Sequence, residues 1–173
     1  MTDEMKRIRG YLEAQGAKLS PAQIVEKVRE AMGRLRAAAA TVPPARFAES
    51  PAPGEWSANE VLAHVVEAGL HFGEGIVRAL DGLPPGERRH DAERPAAPRQ
   101  TAAEWLALLE RDREALFARA LSADPAARLE QSIPHGFFGM LNWRETLLFL
   151  RIHDLDHAGQ LEKIAAALGP ARP

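Results

Sequence analysis

Residues 142–168 read NWRETLLFLRIHDLDHAGQLEKIAAAL, and their pattern decides the fold. Asn142 is followed three residues later by Glu145. An Asn N-cap with Glu at the third helical position satisfies backbone N–H groups that have no partner in the first turn. Beyond this start, Leu150, His153, His157, Leu161, Ile164 and Leu168 recur at intervals of three or four. That spacing lays them along one face of a helix. The face is apolar except for two histidines, so it reads as the inward stripe of a helix packed against others.

Proline placement extends the reading to the rest of the chain. Proline lacks an N–H and clashes with the preceding turn, so it is excluded from helix interiors. After Pro21 the proline-free stretches are 22–42, 54–83, 99–124 and 135–169. Ser57 with Glu60 and Thr101 with Glu104 repeat the capping pattern, and Ser20 precedes Pro21 as a cap before a first-turn proline. Ile24, Val28, Met32, Leu35 and Val42 form one stripe; Val61, Val65, Phe72, Ile76 and Leu80 form a second; Trp105, Leu109, Leu116 and Ala120 form a third. Four amphipathic helices bury their stripes most simply as a four-helix bundle.

The composition agrees. The 173 residues include 32 alanines and 20 leucines against 17 Val, Ile and Thr together, which favours helix over strand. The expected fold is therefore all-α: a four-helix bundle over 20–173, with a short extra helix in an N-terminal extension, 1–19, ending by Gly16. Its connections are long. Residues 81–100 form a polar crossover, and 122–141 are expected to hold one helical turn after Asp124-Pro125.

A net charge of −2 gives no electrostatic footprint for nucleic acid or an anionic membrane. No apolar run reaches the ~18 residues of a membrane span. The acidic start, Met1-Thr2-Asp3-Glu4, lacks a signal-peptide core, so the cytoplasm is the expected compartment. The absence of cysteine removes disulfides, thiolate metal sites and thiol nucleophiles together.

Six histidines carry the remaining chemistry. His153 and His157 lie one above the other on the inward face. Two imidazoles inside a bundle need partners for their ring nitrogens. A divalent metal supplies that, and so do hydrogen bonds to neighbouring side chains; spacing and position leave both open. His64 borders the apolar stripe of the second helix and lies closer to its buried face than His71, so it is the nearer candidate if a third ligand exists. His71 lies about 10 Å further along that helix, so the two cannot serve one ion. His90 and His135 fall in loops and read as surface residues, with the rim of a pocket as the second reading for His135. Gln160 shares the histidine face, which leaves open a bond to a ligand or a histidine and packing against a loop. Asp112 falls on the apolar side of the third helix, where it reads first as a partly exposed helix Asp and second as a pocket residue or one that orients a histidine. Asp154 and Asp156 flank the histidines as solvated or salt-bridged residues. Trp56, Trp105 and Trp143 read as core, and Arg144 and Arg151 as candidates for an anionic substrate or plain surface residues.

Two stretches carry a resemblance. Trp56-Ser57-Ala58-Asn59-Glu60-Val61-Leu62-Ala63-His64 resembles the second-helix motif of the DinB/YfiT-like family. His153-Asp154-Leu155-Asp156-His157-Ala158-Gly159-Gln160 resembles its fourth-helix motif, His-x-x-x-His followed by Gly-Gln. The resemblance spans about 20–168. It implies a bundle holding one divalent metal on His64, His153 and His157, with zinc, nickel and iron not distinguished by the ligand type, and a homodimer. It also implies a small-molecule substrate and the chemistry of thiol-dependent S-transferases and isomerases, in which the metal activates a low-molecular-weight thiol or a water. The general base is unassigned. The alternatives are a binding bundle without turnover and a structural bundle with metal-free core histidines.

Overall fold

All four long helices begin at the caps that the sequence supplies. The computed structural model describes residues 2–87 and 94–169. Its helices are α1 (Asp3–Lys18), α2 (Pro21–Thr41), α3 (Ala58–Leu80), α4 (Ala102–Leu121) and α5 (Trp143–Leu168). Ser20, Ser57, Thr101 and Asn142 each form a complete capping box, closed by Gln23, Glu60, Glu104 and Glu145. Thr2 caps α1.

Helix α1 continues past Gly16 to Lys18. Gly16 is a packing position and not a terminator: a Cβ there would lie 3.0 Å from Glu145 Cγ. Its absence lets α1 approach the first turn of α5.

Helix α2 packs on α4 and α5, α3 packs on the same two helices, and α1 lies against α5. The bundle therefore runs α2–α5–α3–α4 in cross-section, with α2 opposite α3 and α4 opposite α5. Two of the three long connections cross a diagonal, which accounts for their length. The first contains a single 3₁₀ turn, Pro44–Arg46. The second, between the neighbours α3 and α4, is anchored at its far end by Asn59, whose side chain bonds the Pro98 carbonyl (3.1 Å) and the Gln100 N–H (3.1 Å).

The third connection departs from the expectation. In place of a helical turn after Pro125 there is a hydrogen-bonded turn, Ala127 N–H to Asp124 carbonyl (2.9 Å). An antiparallel hairpin follows, β1 (Ile133–His135) with β2 (Gly139–Leu141), pairing Ile133 with Leu141 and His135 with Gly139. Gly139 takes φ +75°, which favours glycine. Three-residue strands are too short to show an alternating pattern, so the hairpin is silent in the sequence.

One core joins all five helices. Leu12, Leu35, Phe72, Phe117 and Leu147 come from successive helices and are all buried in it. Leu12 thus ties the N-terminal segment to the bundle. Among the described residues no helix is long and apolar enough to cross a membrane.

Two charges interrupt this core. Arg113 of α4 donates from Nη2 to Asp154 Oδ1 of α5 at 3.1 Å, and both side chains are almost wholly buried. Burial pushes the Asp154 carboxyl up, while Arg113 and then His157 oppose it. Removing one partner of such a pair leaves an uncompensated buried charge, whereas replacing both with apolar residues removes the desolvation cost. Arg113→Met should therefore lower unfolding stability by about 3–5 kcal/mol. Arg113→Met/Asp154→Leu should return it to near or above wild type, measured by urea unfolding.

A second charge is tuned at the start of α3. Arg94 bonds both oxygens of Glu60 (2.6 and 2.9 Å), and the Ser57 N–H bonds one of them (2.8 Å). The Arg94 guanidinium, aided by Ser57, pulls the Glu60 carboxyl down to about 2 from 4.5. A folded-state value below the unfolded one stabilises above pH 4.5, and the effect fades as pH falls towards 2. Glu60→Gln should therefore cost stability at pH 6 and progressively less between pH 4.5 and 2, read from urea midpoints at each pH.

Candidate metal centre

Helix α5 carries His153 and His157 one turn apart, and α3 brings His64 up against both. Ring centroids are 4.4 Å apart for His153–His157, 4.9 Å for His64–His157 and 5.1 Å for His64–His153. One ring nitrogen from each lies within 4.8 Å of the others. The Nε2 atoms of His64 and His153 approach to 3.2 Å. Two nitrogens bound to one tetrahedral ion at 2.0–2.1 Å stand about 3.3 Å apart, so this pair has the spacing of a shared ligand set.

The ring orientations have local causes. Trp56 packs edge-on to His64 at 5.3 Å, and Phe149 packs on His153 at 5.6 Å. Gln160, one turn beyond His157, places Oε1 2.8 Å from His157 Nδ1. A carboxamide oxygen only accepts, so Nδ1 carries the proton and Nε2 keeps its lone pair. His64 and His153 are buried and His157 is half-buried. The donor set is three imidazoles with no thiolate, which suits a transition ion and not calcium or magnesium.

The histidines form the floor of a cleft of about 790 Å³. Thr2, Glu4, Met5 and Ile8 at the start of α1 wall one side. Glu55 and Trp56 come from the loop before α3, and Phe137 and Phe138 from the hairpin tip. Helix α5 adds Phe149, Ile152, Asp156 and Gln160. The spacing of Met5, Ile8 and Leu12 is the one sequence signal that assigns α1 an inward face.

Several sequence-derived placements change. Asp112 does not line this cleft; it pairs with Arg111 (2.8 Å) and lines a separate groove with Gly69, Gly73 and Leu109. The next residue, Arg113, is the one that turns into the bundle. Asp154 is buried against Arg113, whereas Asp156 is exposed in the cleft. His135 is not a surface residue but is 1% exposed. It stacks on Phe72 (5.0 Å) and meets the edge of Phe149 (4.3 Å), because the hairpin folds back over α3 and α5. Its Nδ1 accepts from the N–H groups of Phe137 (3.1 Å) and Phe138 (3.3 Å). His71 packs on Phe72 (5.2 Å) away from the cleft, and His90 lies outside the described residues. Arg144 donates to the carbonyls of Leu19 and Pro125, and Arg151 to Tyr11 Oη (3.4 Å), so neither faces the cleft. Trp105 and Trp143 are core residues bonded to Asn59 Oδ1 and the Ala127 carbonyl, both at 2.9 Å. Trp56 is a cleft wall.

Fold and site together define a DinB-type helical bundle with a histidine cluster at the floor of a cleft. Residues 6–161 match the DinB superfamily, and the chain belongs to that family. The match begins within α1, ahead of the stretch bounded by the two motifs. The four-helix bundle protein TT2238 aligns with a TM-score of 0.63 at 22% identity, covering 83% of this chain and 99% of its own. YfiT from Bacillus subtilis is described as a probable metal-dependent hydrolase with an unusual four-helix bundle topology. It aligns with a TM-score of 0.67 at 14% identity, covering 86% of this chain and 87% of its own. At these identities the likeness speaks for the fold. No curated protein sequence matches the chain significantly.

The hairpin tip offers a direct check on the His135 geometry. His135→Phe keeps a ring against Phe72 and Phe149 but removes the acceptor. The Phe137 and Phe138 amides should then exchange with solvent about tenfold faster, consistent with losing one hydrogen bond each, while amides in α3 and α5 keep their rates.

Proposed function

We propose that this protein is a metal-dependent enzyme that holds one divalent transition ion on His64, His153 and His157. The observation that carries the reading is the convergence of three imidazoles from two helices, with ligating atoms within 4.8 Å, at the floor of a cleft. Three protein ligands make a catalytic-type site, which keeps a coordination position for water or substrate. When bound, such an ion lowers the pKa of a water or thiol and polarises a substrate oxygen.

The chain's own residues supply the rest. Gln160 keeps the His157 proton on Nδ1. Trp56 and Phe149 fix the rings of His64 and His153 and exclude water from their flanks. Met5, Ile8, Phe137 and Phe138 offer apolar surface to a small substrate. Because the chain has no cysteine, any sulfur nucleophile enters as a low-molecular-weight thiol. The reading is thiol transfer to a small electrophile, or a thiol-dependent isomerisation. Water in place of thiol gives hydrolysis, the activity ascribed to the Bacillus subtilis neighbour.

Elemental analysis of the purified protein should find about one equivalent of a divalent transition ion, the content of a single three-histidine site. His153→Ala/His157→Ala should carry none; equal uptake by that variant refutes the site. Gln160→Ala should weaken the ion about 10–100-fold in chelator competition, the usual effect of losing a group that orients a ligand. The loaded protein should accelerate conjugation of a small thiol to an electrophile, or ester hydrolysis, and lose that activity with chelator. Uptake without turnover on either panel leaves a binding bundle.

A further inference from the structure

The ion pair buried in the core bears on the histidine cluster through a single oxygen. Asp154 Oδ1 accepts from Arg113 Nη2 at 3.1 Å, and the same oxygen lies 3.9 Å from His153 Nδ1. The second distance is longer than a hydrogen bond. It is well within reach of a charge acting on a dipole where the local dielectric is low. Asp154 is 0% exposed and His153 8% exposed, so little water screens the contact.

The other side of the same ring faces the site. His153 Nε2 stands 3.2 Å from His64 Nε2, so Nε2 is the atom that His153 turns towards an ion. A neutral imidazole carries one proton, and ligation through Nε2 requires that proton on Nδ1. A negative oxygen beside Nδ1 favours that tautomer, because it stabilises an N–H dipole there and repels a lone pair. His157 follows the same logic with a neutral acceptor, Gln160 Oε1, 2.8 Å from its Nδ1. Each of the two histidines on α5 therefore has a side-chain oxygen on its Nδ1 side.

Arg113 fixes the position of the Asp154 oxygen. It crosses from α4 and packs its guanidinium against α3, where a Cβ at Gly69 would stand 3.5 Å from Nη2 and 3.6 Å from Cζ. Helix α3 also carries His64. The guanidinium thus lies between the two helices that bear the histidines and bonds the neighbour of His153. Because a buried ion pair is a weak source of net stability, stability alone does not account for its place in the core.

We propose that Asp154, fixed by Arg113, is a positioning residue for the metal centre: its Oδ1 keeps the His153 proton on Nδ1 and so presents the Nε2 lone pair to the ion shared with His64 and His157. Arg113 acts through Asp154. In the metal-free protein the 3.2 Å contact then has a direction, with His64 Nε2–H donating and His153 Nε2 accepting. This rests on the metal reading of the three histidines and adds the residues that orient one of them.

Arg113→Met/Asp154→Leu separates orientation from stability. Its metal-free form should match or exceed wild type in urea midpoint, as removal of both buried charges allows. It should nonetheless bind zinc about 10–100-fold more weakly in chelator competition, the usual loss when a group that orients a ligand is removed. Phe117→Leu alters a core residue of α4 that does not line the cleft. It should lower the urea midpoint and leave zinc affinity within about twofold, as distant sites do. ¹⁵N NMR of the metal-free proteins, at mildly alkaline pH where imidazoles are neutral, reads the tautomers. Wild type should carry the proton on Nδ1 of His153 and on Nε2 of His64, and the double variant should lose that preference at His153.

A double variant whose zinc affinity falls no further than that of Phe117→Leu overturns the proposal. So does a wild-type His153 that carries its proton on Nε2, a result that needs no variant to fold. A wild-type protein that takes up no zinc refutes the metal reading, and the tautomer in the metal-free protein still decides whether Asp154 orients His153.

Discussion

A carboxylate cut off from water sits in the middle of α5, and Arg113 reaches it from across the bundle. Asp154 is next to His153, and successive helical residues point about 100° apart. Holding Asp154 against α4 therefore sets which way His153 and His157 face. The pair joins two helices on a diagonal, so it also constrains the rotation of the whole fold. A buried ion pair is a poor source of net stability. Its consequence here is geometric: it fixes the rotation of the helix that carries two of the three histidines.

The site is assembled by a division of labour. Helices α3 and α5 supply the histidines from rigid backbone, well away from the helix ends. Trp56, Phe149 and Gln160 orient the rings. Parts peripheral to the four-helix core build the walls: the first turns of α1, the loop before α3 and the tip of the β1–β2 hairpin. His135 secures that tip by accepting two backbone N–H groups while stacking in an aromatic cluster with Phe72 and Phe149. The helices thus hold the floor of the cleft, and loops and the N-terminal helix determine what can enter above it.

Much of this was legible in the sequence, for reasons that differ by residue. Ser20, Ser57, Thr101 and Asn142 were readable as helix starts because capping involves residues three apart. The His153–His157 pair was readable because helical periodicity alone stacks it. The place of His64 beside that pair was readable from its stripe position and the Trp56–His64 motif. Gln160 was readable because it lies one turn from His157. Asp112 was readable as a partly exposed residue, but Arg113 was not readable as a buried one: the two straddle the edge of a weakly amphipathic face, and a wheel cannot say which neighbour turns inward. His135 misled because loop position was taken as exposure, while the hairpin that buries it has strands too short to announce themselves.

Taken alone, the amino-acid sequence determined the helices, their order, the family and the three histidines, because caps, periodicity and motif spacing act over a few residues. The tertiary structure decided everything made by distant segments meeting. That includes the diagonal order of the bundle and the buried Arg113–Asp154 pair. It also includes the burial of His135 and the role of α1 as a wall. The cleft draws on residues 2–8, 54–64, 137–138 and 149–160, and no local rule brings those stretches together. Only the packing of side chains into one core does so.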